Sequence, residues 1–161
     1  MKIKIFLLGV ILTSFSVAAS AQDYQTSLGL RGGFAQGITF KHFISEDVAI
    51  EALAETRWRG LLLTGLIQRH RPALDVQGLN WYYGGGAHIG FWAYHRNNPW
   101  WTRHEDESYL VLGLDVILGL EYKLPDLPLV VAADWKPAFN FVGVEGFWGD
   151  FGAVSLRYIF R

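Results

Sequence analysis

Charged side chains recur at alternate positions in stretches of this sequence that are otherwise apolar. The stretch LEYKLPDLPLVVAADWKPAF, residues 120–139, carries Glu121, Asp134 and Lys136 among Leu, Val, Ala and Trp. Side chains two residues apart point the same way on a β-strand, so Asp134 and Lys136 share one face. Acids and bases inside a narrow interior must pair, because an unpaired buried charge is costly. This spacing therefore predicts a buried network of ion pairs.

We assign nine residues to this network, because each lies on the polar face of an apolar stretch. They are Arg31, Glu51, Glu55, Arg57, Asp115, Glu121, Asp134, Lys136 and Arg157. Four are basic and five are acidic, and this near balance favours charges that fill the interior over charges that line a water-filled conduit. Glycines on the same faces, such as Gly113 and Gly119, are expected to make room for the charges. Gly113 is also expected to tolerate a small polar residue.

The residues of nucleophilic catalysis are few and poorly spaced. The histidines are His42, His70, His88, His95 and His104, and the serines after residue 21 are Ser27, Ser45, Ser108 and Ser155. A serine nucleophile needs a base held within hydrogen-bond reach on a rigid element. His104 and Ser108 lie in a charged segment, residues 94–108, that has no strand pattern. We therefore expect no catalytic residues and no enzyme activity.

Metal and cofactor sites are not indicated either. There is no cysteine, and the cluster of His95, His104 and residues 105–107 (Glu-Asp-Glu) has no metal-ligand spacing, so a solvated loop is favoured. The stretch YYGGGAHIG lacks the glycine pattern and the βαβ context of a dinucleotide site. His88, within it, is expected to be a hydrogen-bonded interior residue. We expect no cofactor.

The first 21 residues have the three parts of a secretory signal peptide. Lys2 and Lys4 precede an apolar run, residues 5–17, and Ala19-Ser20-Ala21 matches a cleavage site. The run is too short for a membrane-spanning helix, which needs roughly 20 residues. Residues 1–21 are thus a predicted signal peptide and residues 22–161 a single domain. The formal net charge of −1 argues against a nucleic-acid partner.

The elements that position the charges are predicted β-strands, because apolar residues alternate with period two and no 3.6-residue period is sustained. Eight strands are expected, near residues 24–34, 37–44, 48–58, 61–69, 79–93, 109–122, 129–141 and 153–160. In a soluble lipocalin-like barrel the apolar face would be the core. The polar face would then be the surface, but it carries too few charges and too much glycine for that.

The opposite orientation fits better, with the apolar face towards lipid and the charges inside. The fold class is therefore predicted as all-β, an eight-stranded antiparallel up-and-down transmembrane β-barrel. If the chain starts in the periplasm, the long segment 94–108 lies outside the cell and the turn 125–128 lies inside. Aromatic residues near strand ends are expected to form the interfacial girdle: Trp58, Trp81, Tyr83, Tyr122 and Phe160.

A resemblance supports this orientation. The run GLEYKLPDLPLVVAADWKPAFNF, followed by AVSLRYIF, resembles the C-terminal half of small outer-membrane β-barrel proteins common in the Bacteroidetes group, of the OmpX/OmpA-like eight-stranded type. The resemblance is specific over the C-terminal third of the chain and general upstream. It implies a bacterial outer-membrane location and an insertion signal formed by Leu156, Tyr158 and Phe160. Many such barrels end on the aromatic residue, whereas here Arg161 follows it.

The resemblance also implies partners: outer-membrane lipid, lipopolysaccharide and the barrel-insertion machinery. An extracellular partner of the loop 94–108 is left open. Lipid A deacylases are small barrels too, but this chain lacks their His-x-Ser motif. Three functions are therefore weighed: a structural or surface-interaction barrel with a filled lumen, a narrow channel or carrier of a small ligand, and a lipid-modifying enzyme. The first is favoured.

Overall fold

The computed structural model describes residues 24–57, 59–92, 109–143, 146–149 and 151–160. They form ten β-segments: β1 (Thr26–Gly33), β2 (Gln36–Phe43), β3 (Val48–Arg57), β4 (Gly60–Pro72), β5 (Leu79–Trp92), β6 (Tyr109–Lys123), β7 (Leu129–Trp135), β8 (Ala138–Val142), β9 (Gly146–Trp148) and β10 (Gly152–Phe160). The described chain is all-β, as the period-two alternation predicts. No helix long and apolar enough to cross a membrane occurs among these residues.

Every neighbouring pair of segments is antiparallel. β1 to β5 follow one another around the sheet in sequence order, β1 also pairs with β10, and β5 also pairs with β6. β6 pairs with β7 and β8, and β7 pairs with β10. These pairings close the sheet into an eight-stranded antiparallel barrel, and the predicted fold is confirmed.

Ten segments make eight barrel strands because two strands are interrupted. Lys136 and Pro137 separate β7 from β8, and proline has no N–H to donate. The pairing with β6 nevertheless keeps its register across this point, and the Pro137 carbonyl accepts a hydrogen bond from the Val116 N–H at 3.0 Å. β7 and β8 are therefore one strand of the wall. β9 and β10 likewise belong to the last strand, because β9 pairs with β8 and β10 with β7.

The two ends of the barrel differ in their connections. At the end we call terminal, Thr26 pairs with Phe160 near the chain ends, and the connections 44–47, 73–78 and 124–128 are short. At the opposite end, which we call distal, residues 34–35 connect β1 to β2, and the distal ends of β3 and β4, of β5 and β6, and of β8 and β9 meet there. Residues 93–108 are outside the described part of the chain.

Along each strand, side chains alternate between the outside and the interior. On β6, Leu114, Val116 and Leu118 are 58 %, 60 % and 50 % exposed, whereas Asp115 and Ile117 are at most 2 % exposed. The outward set is apolar and the inward set includes the charge, which agrees with the faces read from the sequence. A sheet that is apolar outside and charged inside is the reverse of an ordinary soluble barrel.

Candidate functional site

The nine residues assigned to the interior network all lie buried, each at most 9 % exposed. They come from five of the eight barrel strands, so the closure of the barrel brings them together. Lys41 is also fully buried and was missed by the sequence reading. Its alternation with Phe40 on β2 was the available signal. With Lys41 included, the described interior holds five basic and five acidic side chains.

Four of these residues form a terminal cluster: Lys41, Glu51, Glu121 and Arg157. Lys41 Nζ lies 3.1 Å from Glu121 Oε2 and 3.8 Å from Glu51 Oε2. Arg157 completes the ring, with Nη2 2.8 Å from Glu121 Oε2 and Nη1 3.2 Å from Glu51 Oε1. Each acid therefore contacts both bases, and the four formal charges cancel.

Neutral polar side chains surround the terminal cluster. The Tyr24 hydroxyl donates to Glu121 at 3.1 Å, and the Thr39 hydroxyl and the Gln68 amide donate to Glu51. These hydrogen bonds satisfy the carboxylate lone pairs that do not face Lys41 or Arg157. Satisfying them reduces the free-energy cost of burying the ion pairs.

A second group, the distal cluster, consists of Arg31, Glu55, Asp115, Asp134 and Lys136. The Arg31 guanidinium holds Asp134 through two bonds of 2.6 Å and donates from Nε to Glu55 at 2.8 Å. Lys136 Nζ lies 3.4 Å from Glu55 Oε2 and 3.3 Å from Asp115 Oδ1. Asp134 and Lys136 share one face, as predicted, but each pairs with a residue on another strand.

His88 extends the distal cluster. Its Nδ1 lies 2.7 Å from Asp115 Oδ2 and its Nε2 lies 2.8 Å from Asn140 Oδ1. Both ring nitrogens are thus occupied, and no serine or threonine hydroxyl of the described chain is among their hydrogen-bond partners. His88 and Asp115 have the residue types of the base and the acid of a catalytic triad, but no nucleophilic hydroxyl of the described chain accompanies them. The arrangement positions an interior histidine, as expected for His88.

Three layers of apolar side chains lie along the barrel interior. The terminal layer is formed by Tyr24, Phe43, Ala49, Val130 and Ile159. A central layer contains Leu53, Leu66, Tyr82, Ile117 and Ala132, and a distal layer contains Ala35, Leu62, Trp92, Val111 and Phe151. The sequence reading predicted the charges but not these layers. An eight-stranded barrel is narrow enough for side chains to fill it, and here both apolar and charged side chains do so.

Arg57 belongs to neither cluster and lies beside Phe151 of the distal layer. Its guanidinium carbon lies 4.5 Å from the centre of the Phe151 ring, and Lys136 Nζ lies 4.8 Å from the same centre. A cation over an aromatic face is attracted by the ring's quadrupole. Phe151 therefore links Arg57 to the distal cluster.

Gly113 and Gly119 leave room for the rings of His88 and Tyr82. A Cβ on Gly113 would lie 2.6 Å from the Phe139 carbonyl oxygen and would collide with the His88 ring. A Cβ on Gly119 would lie 2.6 Å from the Tyr82 ring and 2.7 Å from Asp134 Cβ. The expectation that Gly113 tolerates a small polar residue is therefore wrong, because backbone, which cannot be displaced cheaply, occupies the space.

The predicted girdle residues that the structure describes all lie at one end. Trp81, Tyr83, Tyr122 and Phe160 lie at the terminal ends of β5, β6 and β10, whereas Trp58 is outside the described residues. The Trp81 and Tyr83 rings stack, with centroids 5.2 Å apart. Leu156, Tyr158 and Phe160, the predicted insertion signal, are each about half exposed on the outward face of β10.

The loop residues considered for cation binding or catalysis, His95, His104, Ser108 and residues 105–107, also lie outside the described residues. Within the described ranges no group of three or more His, Cys, Asp or Glu side chains is placed to hold a metal ion. The signal peptide, residues 1–21, lies outside the described chain and stays a prediction.

No known family model matches this chain, and no curated protein matches it either. The structural class of the protein is therefore defined by its geometry alone. It is a closed eight-stranded antiparallel β-barrel with an ion-paired interior and an apolar wall.

Proposed function

We propose that this protein is a small integral outer-membrane β-barrel with a side-chain-filled lumen and a structural or surface-interaction role. The observation that carries the proposal is the outer wall. Each of the eight strands exposes at least one large apolar side chain at 39 % or more: Leu30, Phe40, Ile50, Leu63, Phe91, Leu114, Val131 and Leu156. Such a belt around the whole circumference is far larger than the apolar patches of soluble monomers, and hydrocarbon is the solvent that suits it.

The filled interior supports a barrel that does not conduct ions. Two ion-pair clusters and three apolar layers lie along it, and the distal layer contains Trp92 and Phe151. Closure satisfies the strand hydrogen bonds within the wall, which hydrocarbon requires. In this proposal the terminal end faces the periplasm, in keeping with its short turns, and the loop 94–108 faces the outside, where it meets lipopolysaccharide or an extracellular partner.

The likeness to small Bacteroidetes outer-membrane barrels belongs to the same proposal. It adds export through the predicted signal peptide, cleavage before Gln22, and recognition of the C-terminal strand by the barrel-insertion machinery. It assigns no enzymatic step, and the proposed role is not catalytic.

Cell fractionation tests the location. We expect the mature chain, with Gln22 at its N-terminus, in the outer-membrane fraction. We also expect its mobility on gels to change on boiling, as for a folded barrel that resists detergent. Recovery from the soluble periplasm would contradict the membrane proposal and favour a soluble carrier of a small ligand.

Planar-bilayer recording separates the filled barrel from a narrow channel. The wild-type protein is expected to give no steady current, because side chains fill the described interior. A steady open-channel current from the reconstituted protein would favour the channel. The test is independent of fractionation, since both alternatives place the barrel in lipid.

A further inference from the structure

The outward face of the described strands carries charge at one place. Along β4 the outward side chains run Leu61, Leu63, Gly65 and Ile67, and then change to Arg69 and Arg71 at the terminal end. Both arginines are exposed, and within the described ranges they are the charged side chains on the outward face of a strand. Two cations directly below an apolar belt match a partner that has both an apolar part and an anionic part.

The neighbouring strand places aromatic rings beside these arginines. Arg69 lies opposite Tyr83 and Arg71 lies opposite Trp81 in the pairing of β4 with β5. We call these four residues the arginine patch. Trp and Tyr are enriched where a membrane protein passes from hydrocarbon to headgroups. The rings therefore mark the depth at which the arginines lie.

A groove leads from the belt to the patch. It has a volume of about 320 Å³ and is lined by Val48, Ile67, Gln68, Arg69, Tyr83 and Gly84. Ile67 supplies an apolar wall at the belt side, and Arg69, which lies opposite Val48 on β3, supplies the charge at the other end. The groove is thus amphipathic along its length.

Of the two arginines in the patch, one is paired with an acid and the other is not. Arg69 Nε lies 3.2 Å from Asp47 Oδ2, and the Asp47 carbonyl accepts a hydrogen bond from the His70 N–H, which holds the turn against β4. The Arg71 side chain makes no hydrogen bond or ion pair with any described residue. A phosphodiester suits the Arg71 guanidinium, because an arginine binds this group through paired N–H donors.

We propose that the arginine patch and its groove bind a membrane glycerophospholipid. The phosphate lies on Arg71 and Arg69, and one acyl chain runs past Ile67 along the apolar belt. This inference rests on the proposed membrane location and adds a defined lipid site to it. It also assigns the terminal end to a phospholipid leaflet.

Native mass spectrometry of the detergent-folded barrel tests the site. The probes are phosphatidylglycerol, diacylglycerol with the same acyl chains, and inorganic phosphate. The variants are Arg71→Gln and the double variant Arg69→Gln/Arg71→Gln. Arg59→Gln is the matched control, because Arg59 is an exposed arginine in the turn at the distal end. The exposed Arg69–Asp47 pair adds little stability, so all variants are expected to fold.

Wild type is expected to bind phosphatidylglycerol and to bind diacylglycerol and inorganic phosphate much more weakly. Affinity for phosphatidylglycerol is expected to fall about fivefold in Arg71→Gln and about 25-fold in the double variant, with Arg59→Gln unchanged. Wild-type affinity in the double variant, or equal binding of diacylglycerol, would overturn the lipid site while leaving the membrane barrel intact. A wild-type chain that stays out of membranes in fractionation would overturn both proposals.

Discussion

The interior of the barrel and its outer wall differ in how far each side chain depends on its neighbours. Inside, Lys136 lies within 3.4 Å of acids on two other strands, Glu55 on β3 and Asp115 on β6. On the wall, a Cβ on Gly65 would meet no other atom within 4 Å. Interior residues are constrained by specific partners, whereas wall residues are constrained by the medium around them. Substitutions in the two regions should therefore fail for different reasons.

The largest effect is expected in the interior, from Lys136→Met. The change leaves Glu55 and Asp115 without one of their cations in a site closed to water, at a cost of about 3 to 5 kcal/mol. Thermal or urea unfolding of the folded barrel measures the loss. Adding Glu55→Gln should recover much of it, because Asp115 keeps His88 while Glu55 loses its charge. An unchanged melting temperature together with a steady bilayer current would show that water screens these acids and that the lumen is open.

The next effect is expected on the wall, from Leu114→Arg. Leu114 is 58 % exposed near the middle of β6, and in the proposed membrane orientation a cation there, close to the bilayer midplane, costs a barrel about 2 to 4 kcal/mol. The fraction folded into lipid vesicles, measured by heat-modifiability, should fall. Gln36→Arg, which places the same side chain on the exposed distal rim, is the control and should fold normally. Equal insertion of both variants would mean that Leu114 does not face hydrocarbon.

A smaller effect is expected from Gly113→Ala in the interior. The added methyl group would press on the Phe139 carbonyl and on the His88 ring, and overpacking of this kind costs about 1 to 3 kcal/mol. The melting temperature of the folded barrel should fall while insertion into vesicles continues. A melting temperature equal to that of wild type would mean that β6 and β8 can separate locally at this point.

The smallest effect is expected from Gly65→Ala on the wall, the matched change to the preceding one. The new methyl group enters open space, so stability should change by no more than about 0.5 kcal/mol. Comparison of the two alanine variants in one unfolding assay separates the regions directly. If Gly65→Ala proved as damaging as Gly113→Ala, something outside the described chain would have to cover β4.

Most of the architecture could be predicted from alternation. The eight strands follow from period-two patterns, and the burial of the nine assigned charges agrees with the face on which each one lies. Lys41 was missed, although Thr39 and Lys41 alternate with outward Ile38 and Phe40 on β2. The apolar layers were also missed. Trp92 and Phe151 are inward residues that lie outside the clearest alternating runs. Alternation predicts the face on which a residue lies, but it does not predict the position of that residue along the barrel axis.

The sequence by itself determined the fold class and which side chains share a face, because a strand turns successive side chains to opposite sides whatever lies next to it. Only the tertiary structure decided which acid meets which base. Arg31 and Asp134 lie 103 residues apart, yet their side chains are 2.6 Å apart, and Lys41 meets Glu121 across 80 residues. Such pairs depend on the order and register of the closed strands and on the height of each residue along the barrel. These are properties of the whole sheet, which the alternation within one strand does not contain.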